Sequence, residues 1–344
     1  MTTKIKILVV DDSAFIRLLI SDLLSKDEEM EVVGTAVDGK EAVAKTLELN
    51  PDVILMDMIM GEYGGQYAVK EIMEKSPRPI LILSSLGNTN LNLIFDALAL
   101  GAVDYINKPK KGGSKIRQIN AELLARVKKV ARAKPRPTNI IRKGVNQLDH
   151  TFDTNPNYEI IVIGASTGGP TALEKVITSL PANLNVPVVI VQHMPPNFIH
   201  SFATRLDALT ALTVEVGQRG SRPRPGHVLI APGDSNMILI KDEEGIVVDF
   251  TKEVFKEYNN PSINAMMLSI AKCYGPKAIG VVLTGMGKDG VIGLKEIKES
   301  GGKTIAQDEA TSIIYGMPKL AFDTGAADVV LSIKEIGGYL VNCL

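Results

Sequence analysis

The segment Gly164-Ala165-Ser166-Thr167-Gly168-Gly169-Pro170 sets a serine between glycines in the spacing G-x-S-x-G. That spacing suits a sharp strand-to-helix turn. Such a turn holds a hydroxyl out for attack on a carbonyl, and the backbone N–H groups at the helix start can bind an oxyanion. Ser166 is therefore a candidate nucleophile. The same residues could instead form a glycine-rich turn in which Ser166 only caps a helix, or a phosphate cradle. The spacing satisfies neither G-x-G-x-x-G nor the P-loop pattern, because no lysine follows the glycines.

A nucleophilic serine needs a base, and the chain has four histidines. His150 falls in a polar stretch, His200 in a helical segment after Pro195-Pro196, and His227 in the turn at Pro225-Gly226 ahead of an expected hairpin strand. His193 alone follows a strand of buried parallel type (186–191), which takes it to the same sheet edge as Ser166, so it is the base by elimination. The third member of such a site is a carboxylate that fixes the imidazole tautomer. The apolar run 278–283 leads into Thr284-Gly285-Met286-Gly287-Lys288-Asp289-Gly290, and Asp289 is expected to orient His193. A plain turn in which Asp289 caps the next helix is the alternative. The chain order Ser, His, Asp differs from the Ser, Asp/Glu, His order of α/β-hydrolases.

A second constellation lies near the amino terminus. Asp11-Asp12 follow the first apolar run, Asp57 the third, Ser84 ends the fourth and Lys108 follows the fifth. Each alone reads as a turn residue or helix cap. Together, three carboxylates at one edge repel one another, and the set suits a hard cation such as Mg²⁺ held by oxygen ligands and water. Lys108 could balance charge and hold an added anion, and the Ser84 hydroxyl could donate to it.

These residues need elements that carry them to sheet edges, and the apolar periodicity supplies them. Runs at 5–10, 32–36, 53–56, 80–83 and 103–106 alternate with helical-period segments at 15–24, 40–49, 66–74, 91–100 and about 116–131. Five strand-helix units of this size predict a doubly wound α/β domain. Lys134-Pro135-Arg136-Pro137 and the polar stretch to Asn157 block helix and weaken strand, which predicts a linker. Strands are then expected at 159–163, 186–191, 213–216, 278–283, 303–305 and 328–331, with helices at 171–179, 262–271 and 290–299. Three short runs between 226 and 250, separated by turn-rich pieces, predict antiparallel hairpins. The expected organisation is a domain at 1–130, a linker at 131–157 and a mostly parallel α/β domain with an antiparallel hairpin addition at 158–344.

Composition narrows the function classes. The 344 residues are 45% hydrophobic and 22% charged, and they lack Trp. Two cysteines, Cys273 and Cys343, stand far apart outside any C-x-x-C pattern, so neither a disulfide framework nor a zinc site is expected. No apolar stretch reaches the length of a membrane helix, and a soluble cytoplasmic protein is expected. The net charge of −1 argues against whole-surface attraction to nucleic acid or anionic membrane. It is uneven, however. Residues 1–109 carry 10 Lys/Arg and 17 Asp/Glu (−7), residues 110–157 carry 12 and 3 (+9), and residues 158–344 carry 16 and 19 (−3). The basic stretch reads as a solvated helix and tail, or as a docking strip for an acidic partner such as the first domain.

Residues 1–130 resemble the receiver domain of two-component response regulators, a flavodoxin-like (βα)5 fold. The match runs through Asp11-Asp12, Asp52-Val53-Ile54-Leu55-Met56-Asp57, Ser84, Tyr105 and Lys108-Pro109. The resemblance implies phosphorylation of Asp57, Mg²⁺ held by the acid pair Asp11-Asp12 with Asp57 and the backbone carbonyl of Ile59, and a switch through Ser84, Tyr105 and Lys108. Gly61-Glu62-Tyr63-Gly64 departs from the usual proline, variable residue, Met-Asp. Nearly the whole chain resembles the CheB-type chemotaxis protein-glutamate methylesterase/glutaminase family. The match runs through Gly164–Pro170, Gln192-His193-Met194, Ala231-Pro232-Gly233, Thr284–Gly290, Ala306-Gln307-Asp308-Glu309 and Tyr315-Gly316-Met317-Pro318. That resemblance implies a Ser166, His193, Asp289 triad with the Met286 backbone N–H on the oxyanion. It further implies hydrolysis of glutamate γ-methyl esters on chemoreceptors, deamidation of certain receptor glutamines, no cofactor for the ester reaction, and a chemotaxis histidine kinase as phosphodonor. A monomer that binds no nucleic acid and inserts in no membrane is expected. Asn264 stands where the family commonly has Asp, and Asn236 where His is common. The rival readings are a phospho-dependent docking module without catalysis and a DNA-binding response regulator. The latter lacks a helix-turn-helix region after the receiver.

Overall fold

The computed structural model describes residues 4–84, 91–108, 116–135, 158–253, 255 and 260–344. Contacts divide the chain into two compact units, Met1–Val145 and Asn146–Leu344. His150, Pro109 and most of the expected linker (136–157) lie outside the described residues.

In the first unit β1 (Ile5–Val10), α1 (Ala14–Leu24), β2 (Met30–Ala36), α2 (Gly39–Leu49), β3 (Val53–Asp57), α3 (Gly65–Lys75), β4 (Ile80–Ser84), α4 (Leu91–Ala99), β5 (Asp104–Asn107) and α5 (Ile116–Val130) alternate. The strands form one parallel sheet in the order β2-β1-β3-β4-β5. β3 and β4 are buried along their whole length, as strands covered on both faces must be. Ser13 and Asp38 cap α1 and α2 through their side chains, which fixes where the loops leave the sheet edge. Lys128 on α5 pairs with Asp27 and Glu29 beyond α1, tying the last helix to the first crossover. Tyr63 O accepts from Gly39 N at 2.7 Å and Met58 O accepts from Gly65 N at 3.2 Å, so Gly61-Glu62-Tyr63-Gly64 is strapped to the start of α2.

The second unit continues with β6 (Ile160–Ala165), α6 (Gly169–Ile177), β7 (Val188–Gln192), α7 (Pro196–Leu209), β8 (Thr213–Val216), β9 (His227–Ile230), β10 (Asn236–Asp242) and β11 (Gly245–Thr251). It ends with α8 (Ile263–Tyr274), β12 (Ala278–Val282), α9 (Val291–Glu299), β13 (Lys303–Gln307), α10 (Met317–Asp323), β14 (Val329–Leu331) and α11 (Ile333–Cys343). Seven strands pair in the order β14-β13-β12-β6-β7-β9-β8, all parallel, and β10-β11 form a separate antiparallel ribbon. Helix α9 packs on α8 and α10, and α6 on α7 and α11, giving the two layers that cover the sheet.

One expectation is corrected here. The first of the three runs between 226 and 250, which includes His227, is not a hairpin strand. It is β9, and it pairs in parallel with β7 and β8. The other two runs form the expected hairpin. Helices α10 and α11 were not among the expected elements.

The chain enters the second sheet at β6, in its middle. It first builds outward through β7 to β8 and β9, and then crosses back to lay β12, β13 and β14 on the other side. The strand order therefore reverses between β6 and β12, the place where open α/β sheets form a crevice at their carboxyl ends.

Candidate active site

Three neighbouring strands deliver three polar side chains to that crevice. Ser166 follows β6, His193 follows β7 on one side of it, and Asp289 stands in the loop after β12 on the other. Their side chains meet. His193 Nδ1 is 3.2 Å from Ser166 Oγ, and His193 Nε2 is 2.8 Å from Asp289 Oδ2. A half-turn of the ring would bring carbons, not the other nitrogen, to these two positions. The geometry thus assigns Nδ1 to the serine and Nε2 to the aspartate.

Asp289 is fully buried. Its Oδ1 accepts from Asn264 N (2.9 Å), Gly290 N (3.0 Å) and Ser262 Oγ (3.3 Å), and its Oδ2 from Ile263 N (2.8 Å) and the imidazole. Two of these donors are first-turn N–H groups of α8, where a helix favours negative charge. The alternative in which Asp289 caps the following helix does not hold. The carboxylate sits on the start of α8, and α9 has Gly290 at its N-cap. The cap reading of Ser166 fails in the same way, because Gly168 is the N-cap of α6.

Sequence reasoning singled out Asn236 and Asn264 only as departures from a family pattern, and both adjoin this carboxylate. Asn236 Oδ1 accepts from Ser262 N at 2.7 Å, and Asn264 Oδ1 accepts from Gly293 N at 2.9 Å, joining α8 to the first turn of α9. Two residues that the sequence places in matching motifs without a role, Thr284 and Gln307, lie behind Ser166. Thr284 O accepts from Ser166 N (3.1 Å), Thr284 Oγ1 donates to Thr167 O (3.0 Å), and Gln307 Oε1 accepts from Thr284 N (2.8 Å). Gly285 lies so close to Ser166 that a Cβ there would fall 2.8 Å from Ser166 Cβ.

In the first unit the ligand atoms of Asp11, Asp12 and Asp57 lie within 4.8 Å of one another. Asp11 and Asp57 are buried, and Lys108 Nζ stands 2.7 Å from a carboxylate oxygen of each. Burial pushes the Asp57 carboxyl above its ordinary range, and neighbouring Asp11 adds to the rise against the pull of Lys108. Burial pulls the Lys108 ammonium down, but its hydrogen bonds to Asp11 and Asp57 leave it raised. One lysine thus under-compensates three carboxylates, and the all-oxygen donor set fits a hard divalent cation. Ile59 N donates weakly to Asp57 Oδ1 (3.4 Å), which holds the Ile59 loop beside the cluster. Ser84 ends β4 and is buried, with its carbonyl accepting from Lys108 N at 2.6 Å. Tyr105 is buried in β5, and burial drives its hydroxyl well above the ordinary tyrosine range.

Adding Mg²⁺ to metal-free protein is expected to raise the unfolding midpoint of the first unit, by about 2.7 kcal/mol of stability at a hundredfold excess over Kd. Asp57→Asn should remove most of that increase. Scanning calorimetry with and without chelator reads both effects, and a midpoint indifferent to millimolar Mg²⁺ would take the cation away from this cluster.

Fold and site together define a receiver-type α/β unit followed by an α/β unit that carries a serine-histidine-aspartate constellation. A sequence profile for CheB methylesterases matches residues 161–340, and one for the response regulator receiver domain matches residues 7–119. The chain belongs to the CheB methylesterase family and is an ester hydrolase joined to a response-regulator receiver domain. The protein-glutamate methylesterase/protein-glutamine glutaminase of Thermotoga maritima is 42% identical over 340 residues, covering 98% of this chain and 98% of that protein. A second protein of that name, from Pseudomonas aeruginosa, is 41% identical over 342 residues, covering 98% and 96%. The crystal structure of the Thermotoga maritima CheB methylesterase catalytic domain matches with a TM-score of 0.53 at 40% identity, covering 54% of this chain and 99% of that one.

Proposed function

We propose that this protein removes methyl groups from glutamate γ-methyl esters of chemoreceptors, releasing methanol, and deamidates certain receptor glutamines, under control of phosphorylation at Asp57. The observation that carries the reading is the continuous hydrogen-bonded chain from Ser166 Oγ through His193 to buried Asp289, in a chain of this family.

The chemistry follows from the two assigned ring nitrogens. Asp289 accepts a hydrogen bond from Nε2–H and so keeps the neutral imidazole in the tautomer whose lone pair, at Nδ1, faces the serine. Nδ1 takes the Ser166 proton as Oγ bonds to the ester carbonyl carbon. The carbonyl oxygen becomes an oxyanion that the Met286 backbone N–H stabilises. Nδ1 then returns the proton to the departing methoxy oxygen, the C–O bond breaks and methanol leaves an acyl-enzyme. Water, deprotonated by the same nitrogen, adds to the acyl carbon, and the Ser166 oxygen leaves with that proton. With a glutamine side chain the first leaving group is ammonia. The positive charge that forms on the ring is held beside an aspartate already satisfied by four other donors.

In the receiver (1–130), Asp57 is the phosphoryl acceptor. Asp11, Asp12, Asp57 and the Ile59 carbonyl would hold Mg²⁺, which supplies charge neutralisation for phosphoryl transfer from a chemotaxis histidine kinase. Ser84 and Lys108 lie at the same edge to contact the added oxygens, and Tyr105 reports the switch. Residues 131–157 link this domain to the catalytic domain (158–344). The ester reaction uses no cofactor, and the protein works in the cytoplasm as a monomer. Among the described residues no helix is long and apolar enough to cross a membrane.

Methanol release from methylated receptor membranes, measured with and without a small phosphodonor, tests the assignment. Release that rises with the phosphodonor, and does not rise in Asp57→Asn, is the expected result. No methanol under either condition would overturn it.

A further inference from the structure

Gln192 ends β7, one residue before His193, and is 2% exposed. Its Nε2 donates to the backbone carbonyl of Ser166 at 3.0 Å and to that of His193 at 3.1 Å. Two carbonyl acceptors around one atom require the NH₂ group there, so the orientation of the amide is settled. The other end of the amide is not satisfied. Oε1 is buried and has no hydrogen-bond partner among the described residues. It presses on the α-carbon of Gly169, where a Cβ would fall 2.0 Å from it. A side chain at position 169 would have to displace the Gln192 amide, although the backbone at Gly169 is ordinary helix.

A half-satisfied amide in a sheet core is a poor way to gain stability, since its buried Oε1 has given up water without gaining a donor. The two bonds that Nε2 does make join the residues that carry the nucleophile and the base. The Ser166 carbonyl also accepts from Gly169 N at 2.7 Å, and Ser166 N donates to Thr284 O at 3.1 Å. His193 N donates to Ala165 O at 3.1 Å. The serine peptide is thus held at both ends, and the Gln192 side chain holds both its carbonyl and that of the histidine.

We propose that Gln192 is a positioning residue for the hydrolysis. Its amide ties the carbonyl of Ser166 to that of His193 and so sets the 3.2 Å reach from Oγ to Nδ1, on which proton transfer depends. The inference rests on Ser166 and His193 being nucleophile and base.

The test is the pH dependence of kcat and KM for methyl-ester hydrolysis in wild type, Ser166→Ala, Gln192→Met and Gln192→Glu, with thermal melts to normalise for folded protein. Gln192→Met fills nearly the same space but cannot donate, and kcat should fall about 100-fold with KM little changed. In Gln192→Glu a buried carboxyl facing two carbonyls resists ionisation. Protonated, it donates one of the two bonds, so this variant should keep part of its rate at low pH and lose it as pH rises, where wild type gains. A merely structural residue would move the melting temperature and leave both kcat and the pH profile alone. Wild-type kcat in Gln192→Met, a loss confined to KM, a Gln192→Glu profile parallel to wild type, or loss of folding in both variants would each overturn the proposal. Activity that survives Ser166→Ala would overturn the nucleophile assignment first and this inference with it, and that failure is recognised from the control alone.

Discussion

Replacing Ser166 with alanine is expected to lower methyl-ester hydrolysis by about 10⁵-fold while leaving the fold and receptor binding intact. The backbone bonds that shape the turn are not touched by the change: Ser166 N still donates to Thr284 O, and its carbonyl still accepts from Gly169 N and Gln192. Only the oxygen facing His193 is lost. The residual rate comes from oxyanion stabilisation and binding alone. Paired measurements of methanol release and receptor co-sedimentation separate an enzyme from a docking module. Undiminished demethylation in the variant would rule out the acyl-enzyme route.

Asp289→Asn should cost about 10⁴-fold in kcat, and the hydrogen-bond count around that carboxylate explains why. Oδ1 receives three donors and Oδ2 receives Ile263 N and the imidazole. An asparagine can satisfy the three-donor side only with its single oxygen, which turns its NH₂ toward the ring. The imidazole must then accept at Nε2 and carry its proton on Nδ1, where it blocks the serine. Ile263 N also loses its acceptor, so the variant should be less stable by about 1–3 kcal/mol. Nitrogen NMR of the His193 ring reads the tautomer directly. A variant with the wild-type tautomer and a 10⁴-fold lower rate would show that charge, not tautomer, is the greater contribution of Asp289.

Much of this site was legible because parallel strands impose a rule on residue placement. A polar residue just past a buried apolar run must lie at the carboxyl edge of the sheet, so Ser166, His193, Asp289 and the receiver carboxylates could be grouped without coordinates. β9 reads as a hairpin strand in the sequence because the turn-rich stretch Gly233-Asp234-Ser235-Asn236 follows it. In the fold Gly233 instead packs against the backbone of Met194 and Pro195 at the base loop. α10 is short, with proline at its start, and shows little period. α11 did carry a signal, the capping box of Ser332 and Glu335 ahead of an apolar run. The support of the site was hidden for a different reason. The bonds from Asp289 to Ile263 and Asn264, from Thr284 to Thr167, and from Gln192 to Ser166 join residues 25 to 117 positions apart, and no local pattern encodes such pairs.

The entry of the chain at the middle of the second sheet also governs how the enzyme is born. During synthesis β6 and β7 emerge with Ser166 and His193, while β12 and Asp289 follow more than a hundred residues behind β6. Until then one edge of β6 has no partner strand, and the imidazole has no carboxylate to fix its proton. A nascent or truncated chain that ends before Ala278 is therefore both chemically silent and open to pairing with foreign strands. Quality-control proteases and chaperones would meet this protein as a sticky half-sheet, and a competent hydrolase would exist only once the last fifth of the chain had closed the other side.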